Sequence, residues 1–197
     1  MISVRENPNK RSRLIQAAST LVYRNGFNET RLADIAAQGD VPPGNVYYYF
    51  KTKEEIGAAI IAERLSHIKA FLKKLDDIDS PRERLCAFVR MTLDNRKVLA
   101  RGGCPIGTLC TELHKERGPL ARQSTALFEE ILAWLRTNFE ALGNGGNSQA
   151  FAVHLLSALQ GIAVLAHSLN NPEIVVAETE LLQRWIRRVE TTSSREA

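Results

Sequence analysis

The stretch Pro43-Gly44-Asn45-Val46-Tyr47-Tyr48-Tyr49-Phe50 concentrates side chains able to recognise nucleic acid. An amide such as that of Asn45 can pair with the N6/N7 edge of adenine, and tyrosine hydroxyls can reach phosphate oxygens. If Val46 and Phe50 turn toward a core, the groove-facing set is Pro43, Gly44, Asn45, Tyr47, Tyr48 and Tyr49. The other reactive residues form no comparable pattern. Cys86, Cys104 and Cys110 are odd in number and include no C-x-x-C pair, which argues against a disulfide framework and a zinc site. Glu112, His114 and Glu116 read as the polar face of a short helix rather than as metal ligands. The sequence has no Gly-rich phosphate loop, no H-E-x-x-H, no G-x-S-x-G and no paired carboxylates in an apolar setting. Accordingly no catalytic residue, metal or cofactor is expected.

Helical periodicity runs almost throughout the chain and predicts an all-α fold of about nine helices. The first helix spans residues 10–25, with Leu14, Ala17, Ala18 and Leu21 on one face and Gly26 as a left-handed stop. Thr30 is a good N-cap for a short second helix carrying Leu32, Ile35 and Ala36. Pro42-Pro43 suits the first turn of a third helix ending near Phe50, because the missing N–H groups would be unpaired there anyway. Two short helices joined by the turn Gly39-Asp40-Val41 make a helix-turn-helix. Thr52 with Glu55 forms a capping box for a long fourth helix running to about Leu75. Further helices are expected at about 81–100, 105–115, 119–142, 148–168 and 173–190, with polar tails at 1–8 and 191–197.

With 44% hydrophobic and 24% charged residues, the composition is that of a globular protein. The longest apolar stretch, 151–169, is interrupted by His154, Gln160 and His167, short of the roughly 20 clean residues of a membrane span. The N-terminal segment is polar, without the apolar core of a secretory signal. A soluble cytoplasmic protein with reduced thiols and no membrane partner is expected. The net charge of +4 is unevenly placed. Residues 1–53 hold eight basic side chains against four acidic ones, so the whole excess falls in the first quarter. A polyanion would meet that end.

Thr30, Asp34-Ile35-Ala36, Val41, Gly44, Val46-Tyr47-Tyr48-Tyr49-Phe50 and Lys53-Glu54-Glu55-Ile56 together resemble the N-terminal domain of TetR/AcrR-type transcriptional regulators. The match covers about Arg11 to Ile60. The resemblance implies a three-helix DNA-binding domain over residues 1–52, tail included. A helical effector-binding and dimerisation domain would follow over 53–190, and then a tail at 191–197. It implies that Thr30 and Lys53 anchor phosphates, with Arg31 beside them, and that residues 43, 44, 45, 47, 48 and 49 lie on the recognition helix. Three positions depart from the family pattern. Gly39-Asp40 stands where Ala-Gly is usual, which puts an aspartate at the tight turn at a small cost. Tyr49 replaces a common histidine, and Pro43 replaces a lysine or arginine, so one ionic contact is missing and operator preference cannot be transferred.

A helix-turn-helix reads few base pairs, so specificity calls for two copies about 34–36 Å apart on the duplex. The expected protein is a cytoplasmic, nucleoid-associated bacterial homodimer that binds a palindromic operator in double-stranded DNA as a repressor. A small-molecule effector would release it. By resemblance the last two helices form the dimer interface, with Leu155, Leu159, Ile162, Ala166, Leu182, Trp185, Ile186 and Val189 as candidates. Candidates for the effector pocket on the central helices are Phe88, Met91, Cys104, Phe128, Trp134, Phe151 and His154, each with plain core packing as the alternative. Cys104 falls where a Gly-Gly loop becomes a helix, the setting in which a thiol gains reactivity, so an electrophile- or redox-responsive regulator is an alternative. A helical enzyme and an interaction scaffold are the alternatives from other classes.

Overall fold

The computed structural model describes residues 9–144 and 146–189. The expected tails at 1–8 and 191–197 lie outside the described residues, as does Gly145 within the Gly/Asn loop. Ten α-helices and no strand occur among the described residues. They are α1 (Lys10–Asn25), α2 (Leu32–Gln38), α3 (Pro43–Tyr49), α4 (Lys53–Asp76), α5 (Pro81–Asp94), α6 (Arg96–Gly102), α7 (Pro105–Glu116), α8 (Pro119–Ala141), α9 (Ser148–Ser168) and α10 (Glu173–Arg188). The segment expected as one helix over 81–100 is two, divided at Asn95, whose side-chain amide donates to the Met91 carbonyl at 2.8 Å.

The helices start and stop for local reasons. Asn9 accepts the Ser12 N–H at 2.9 Å to cap α1, and Gly26 ends it at φ 87°, where a side chain would be strained. The Thr52 hydroxyl accepts the Glu55 N–H, while the Glu55 carboxylate reaches back to the Lys51 N–H at 2.7 Å. One expectation is corrected. Arg31, not Thr30, occupies the N-cap of α2, and Thr30 is buried with its hydroxyl donating to the Gly26 carbonyl at 2.7 Å.

The chain divides into two compact units. Of the described residues the first comprises 9–64 and 108–124, so α1–α3 pack with the first half of α4, most of α7 and the start of α8. Its core is Leu14, Ala18, Ile35, Ala36, Val46, Phe50, Ile56 and Ile60, all nearly inaccessible. A Cβ on Gly57 would come within 2.6 Å of Leu120 and 2.9 Å of Phe27, so α4 can approach these residues only with glycine there. The expected cut after residue 52 follows the helix-turn-helix, whereas compactness places the boundary inside α4, α7 and α8.

Of the described residues the second unit comprises 65–107, 125–144 and 146–189, and it is built around Leu85, Val89, Leu135, Phe139, Ala152, Leu155, Ala166, Val175 and Ile186. The Arg82 guanidinium donates to the carbonyls of Ile186 and Val189, and Arg84 donates to those of Ile78 and Asp76. Each arginine thereby satisfies carbonyls left over at a helix C-terminus. By length and composition α9 could cross a membrane, with a mean hydropathy of 1.6, contrary to the reading of an interrupted stretch. Here Ala152, Leu155, Leu159, Ile162, Ala163 and Ala166 turn one side of it into the core.

Candidate nucleic-acid interface and effector cavity

Recognition by α3 depends on which of its residues the core claims. Val46 and Phe50 are buried, and they fix the helix by its inner face. Pro43 and Gly44 are exposed, Tyr47 is 56% exposed and Tyr48 78%, while Asn45 and Tyr49 are half-buried. The Tyr49 ring meets that of Tyr48 edge-on, with centroids 5.0 Å apart. A large aromatic that is mostly in solvent has no packing reason to be there, and two neighbours of this kind suit contact with a partner. Gly44 has nothing within 4 Å of where a Cβ would stand, so no internal contact demands glycine. Close approach of the backbone to a ligand would demand it.

The turn before α3 accommodates its departure from the family pattern. Asp40 takes the left-handed conformation at φ 49°, and Arg13 on α1 holds it through both the carboxylate (3.2 Å) and the backbone carbonyl (3.0 Å). The Lys53 ammonium donates to the Asn28 carbonyl at 2.7 Å and lies 4.9 Å from the Phe27 ring centroid. Having three donors, it retains others for a phosphate. Arg31 is exposed, whereas Thr30 is buried and supports the turn from beneath.

The turn between α1 and α2 is gripped by a residue that sequence reasoning had assigned to a solvated face. The Glu112 carboxylate on α7 accepts the Phe27 N–H at 2.7 Å and the Asn28 N–H at 2.8 Å, and Glu116 accepts the Asn28 side-chain amide at 2.8 Å. A Cβ on Gly26 would stand 3.1 Å from both Glu112 oxygens, so glycine also leaves room for this contact. Glu112 and its backbone partners are 84 and 85 residues apart, and no local signal joins them. Among the described residues no group of three or more His, Cys, Asp or Glu could hold a metal ion.

The second unit contains a largely apolar cavity of about 250 Å³. Phe88, Met91 and Cys104 line it, and the structure brings these three expected residues together. The other four lie elsewhere. Phe128 lines an open groove between α8 and α9, and the Trp134 indole N–H donates to Asp76 at 2.8 Å. Phe151 joins a ring cluster with Phe139 and Trp185, and His154 packs edge-on against Trp185 from an exposed position. Polar cavity residues that sequence reasoning missed are Thr92, Asn95 and Gln160. Cys104 is half-buried, and its sulfur accepts the Gly107 N–H at 3.4 Å in the first turn of α7. Burial pushes the Cys86 thiol up from its ordinary pKa, although Arg187 opposes the shift.

The residues expected at a dimer interface are mostly inside the protomer. Leu155, Leu159, Ile162, Ala166, Leu182, Ile186 and Val189 are buried in the core of the second unit, and Trp185 is partly so. Exposed apolar side chains on the same helices are Val153, Val164 and Leu165 on α9 and Leu181 on α10, with Leu169 just beyond α9. Gly161, also exposed, lies between Val153 and Val164 with open space where a Cβ would stand.

An all-helical chain that presents exposed tyrosines on the second helix of a helix-turn-helix, within a basic N-terminal segment, belongs to the class of DNA-binding regulators. The family model for bacterial regulatory proteins of the tetR family matches residues 14–60. An HTH-type transcriptional regulator from the lacX 3′ region of Lactococcus lactis is 26% identical over 92% of this chain and 95% of its own length. The HTH-type transcriptional repressor NemR of Escherichia coli is 28% identical over 68% of both chains. The crystal structure of a TetR transcriptional regulator from Legionella pneumophila has the same fold, with a TM-score of 0.81 at 22% identity over 91% of this chain and 98% of that one. Residues 14–60 are thus a tetR-type DNA-binding domain, and the chain as a whole has the fold of TetR transcriptional regulators. Its relatives are regulators rather than enzymes, and the enzyme alternative falls with that finding.

Proposed function

We propose that this protein is a homodimeric repressor that reads a palindromic operator with α3 and releases it when a small molecule occupies the cavity of the second unit. The exposure of Tyr47 and Tyr48, beside a Gly44 that no internal contact requires, carries the DNA-reading part. Tyr47, Tyr48 and Asn45 meet bases and phosphates, and Pro43 and Gly44 let the helix start come close. Lys53 and Arg31 supply charge at the phosphates, with Thr30 holding the turn. The exposed apolar residues of α9 and α10 cover one another across the two-fold axis, and the two copies set the half-site spacing. A ligand that binds the DNA-incompetent conformation more tightly lowers operator affinity by that difference. Such a protein works in the cytoplasm, where its DNA is.

Fluorescence-anisotropy titration of the purified protein against a genomic-fragment library at several salt concentrations tests this reading. Selective binding that weakens steeply with salt, and that Asn45→Ala and Tyr48→Ala abolish, is expected. Binding without selectivity, or untouched by both variants, contradicts it and favours the scaffold alternative. A second reading has an observation of its own. Cys104 combines a place on the cavity wall with a place at the start of α7, so an electrophile entering the cavity would meet its sulfur. Loss of operator binding on treatment with an alkylating agent, prevented by Cys104→Ser, is the expected sign of that mode.

A further inference from the structure

The cavity of the second unit has a polar design that narrows what it can hold, on the reading that it is the effector site. No Asp, Glu, Lys, Arg or His is among its lining residues. An ionised ligand would lose its hydration there and find no countercharge. At about 250 Å³ the space exceeds the roughly 150 Å³ of an apolar cavity that accepts benzene. It falls short of the range of about 300–1,000 Å³ usual for drug-sized ligands. A molecule with one substituted ring or a short chain fits.

Besides Asn95, which is exposed and whose side-chain amide donates to the Met91 carbonyl, two polar residues on different helices line this space. Thr92 on α5 is only 7% exposed and lines the cavity with its hydroxyl-bearing side chain. Gln160 on α9 is half-buried and lines the cavity from another helix. A hydroxyl and a carboxamide in an otherwise largely apolar lining fix where a polar ligand atom can sit. The first turn of α7 makes room for the amide, since a Cβ on Gly107 would collide with Gln160 Oε1. Glycine at 107 therefore seats the carboxamide at the cavity wall.

We infer that the effector is a neutral molecule of about one ring in size bearing a carbonyl, hydroxyl or ether oxygen, and that Thr92 and Gln160 select it by hydrogen bonding to that oxygen. Three probes of similar shape test this by isothermal titration calorimetry on the full chain: acetophenone, ethylbenzene and benzoate. Acetophenone is expected to bind about two- to twelvefold more tightly than ethylbenzene, the worth of one neutral hydrogen bond, with no detectable binding of benzoate. Thr92→Val and Gln160→Met, which keep shape and remove the polar group, should erase that preference while leaving ethylbenzene affinity unchanged. Gly107→Ala, which must displace the carboxamide, should lower the preference from a different helix. Equal binding of acetophenone and ethylbenzene, a preference that survives in both variants, or binding of benzoate as tight as that of acetophenone overturns the inference and leaves the cavity as an effector site. Failure of all three probes to bind overturns the cavity reading and the inference with it.

Discussion

Glu112→Gln isolates the contact that organises the start of the DNA-reading unit. In the native protein one carboxylate accepts two backbone N–H groups in succession, those of Phe27 and Asn28, at 2.7 and 2.8 Å. The amide keeps the shape but turns one acceptor into a donor that faces an N–H, and it removes the charge from the other bond. A hydrogen bond to a charged group contributes about 1.5–3 kcal/mol, and a neutral one roughly half as much. Asn28 is exposed and regains water, which offsets part of its loss, whereas Phe27 is buried and does not. A net destabilisation of about 2 kcal/mol follows, and for a chain of this size it lowers the thermal midpoint by about 4–8 °C. Differential scanning calorimetry reads the midpoint, and amide exchange at Phe27 and Asn28 should accelerate. Glu116→Gln, which touches only the exposed Asn28 side chain, should stay within about 0.5 kcal/mol of the native protein. A Glu112→Gln midpoint within about 1 °C of the native value, with unchanged exchange, would mean that Glu112 does not hold this turn.

Further expectations concern the second unit. Val164 is 62% exposed, so Val164→Asp should leave protomer helicity intact and, by placing a charge on the proposed dimer face, convert the protein to monomers in sedimentation velocity. A dimer that persists moves the interface elsewhere. Burial raises the Cys86 pKa in the folded protein, so Cys86 favours folding below the ordinary thiol pKa, and that contribution is lost as pH rises toward the folded value. Stability to urea should therefore fall with pH in the alkaline range, less steeply in Cys86→Ala, and identical slopes would contradict the shift. In the native protein, Cys104 should react with a thiol reagent well before Cys86, which is 1% exposed.

Helix limits were legible wherever one residue decides them: Gly26 ends α1, Pro43 starts α3, and the Thr52–Glu55 pair starts α4. The exposed face of α3 was legible for the same reason, since Val46 and Phe50 leave Tyr47 and Tyr48 nowhere but outside. The exposed side of α9 was not. On that helix apolar residues occupy almost every side, and hydrophobicity alone cannot say which side the protomer's own core takes. It took Leu155, Leu159 and Ile162 and left Val153 and Val164 outside. Aromatic character was a poor guide to the cavity lining, because Phe151 packs instead against Phe139 and Trp185 in a ring cluster. Thr92 and Gln160 became visible only once folding had placed them around one space. Glu112 was hidden by sequence separation, and the break at Asn95 by a periodicity that continues across it.

If α3 is shaped for DNA rather than for the protein's own packing, Gly44→Ala separates the two. With nothing near the added methyl group and a helix around it, folding stability should hold or rise by up to about 1 kcal/mol. Anisotropy titration against a fragment selected by the native protein should show affinity falling at least about tenfold. Undiminished affinity for that fragment in a variant that folds as well as the native protein would mean that α3 is not shaped for DNA.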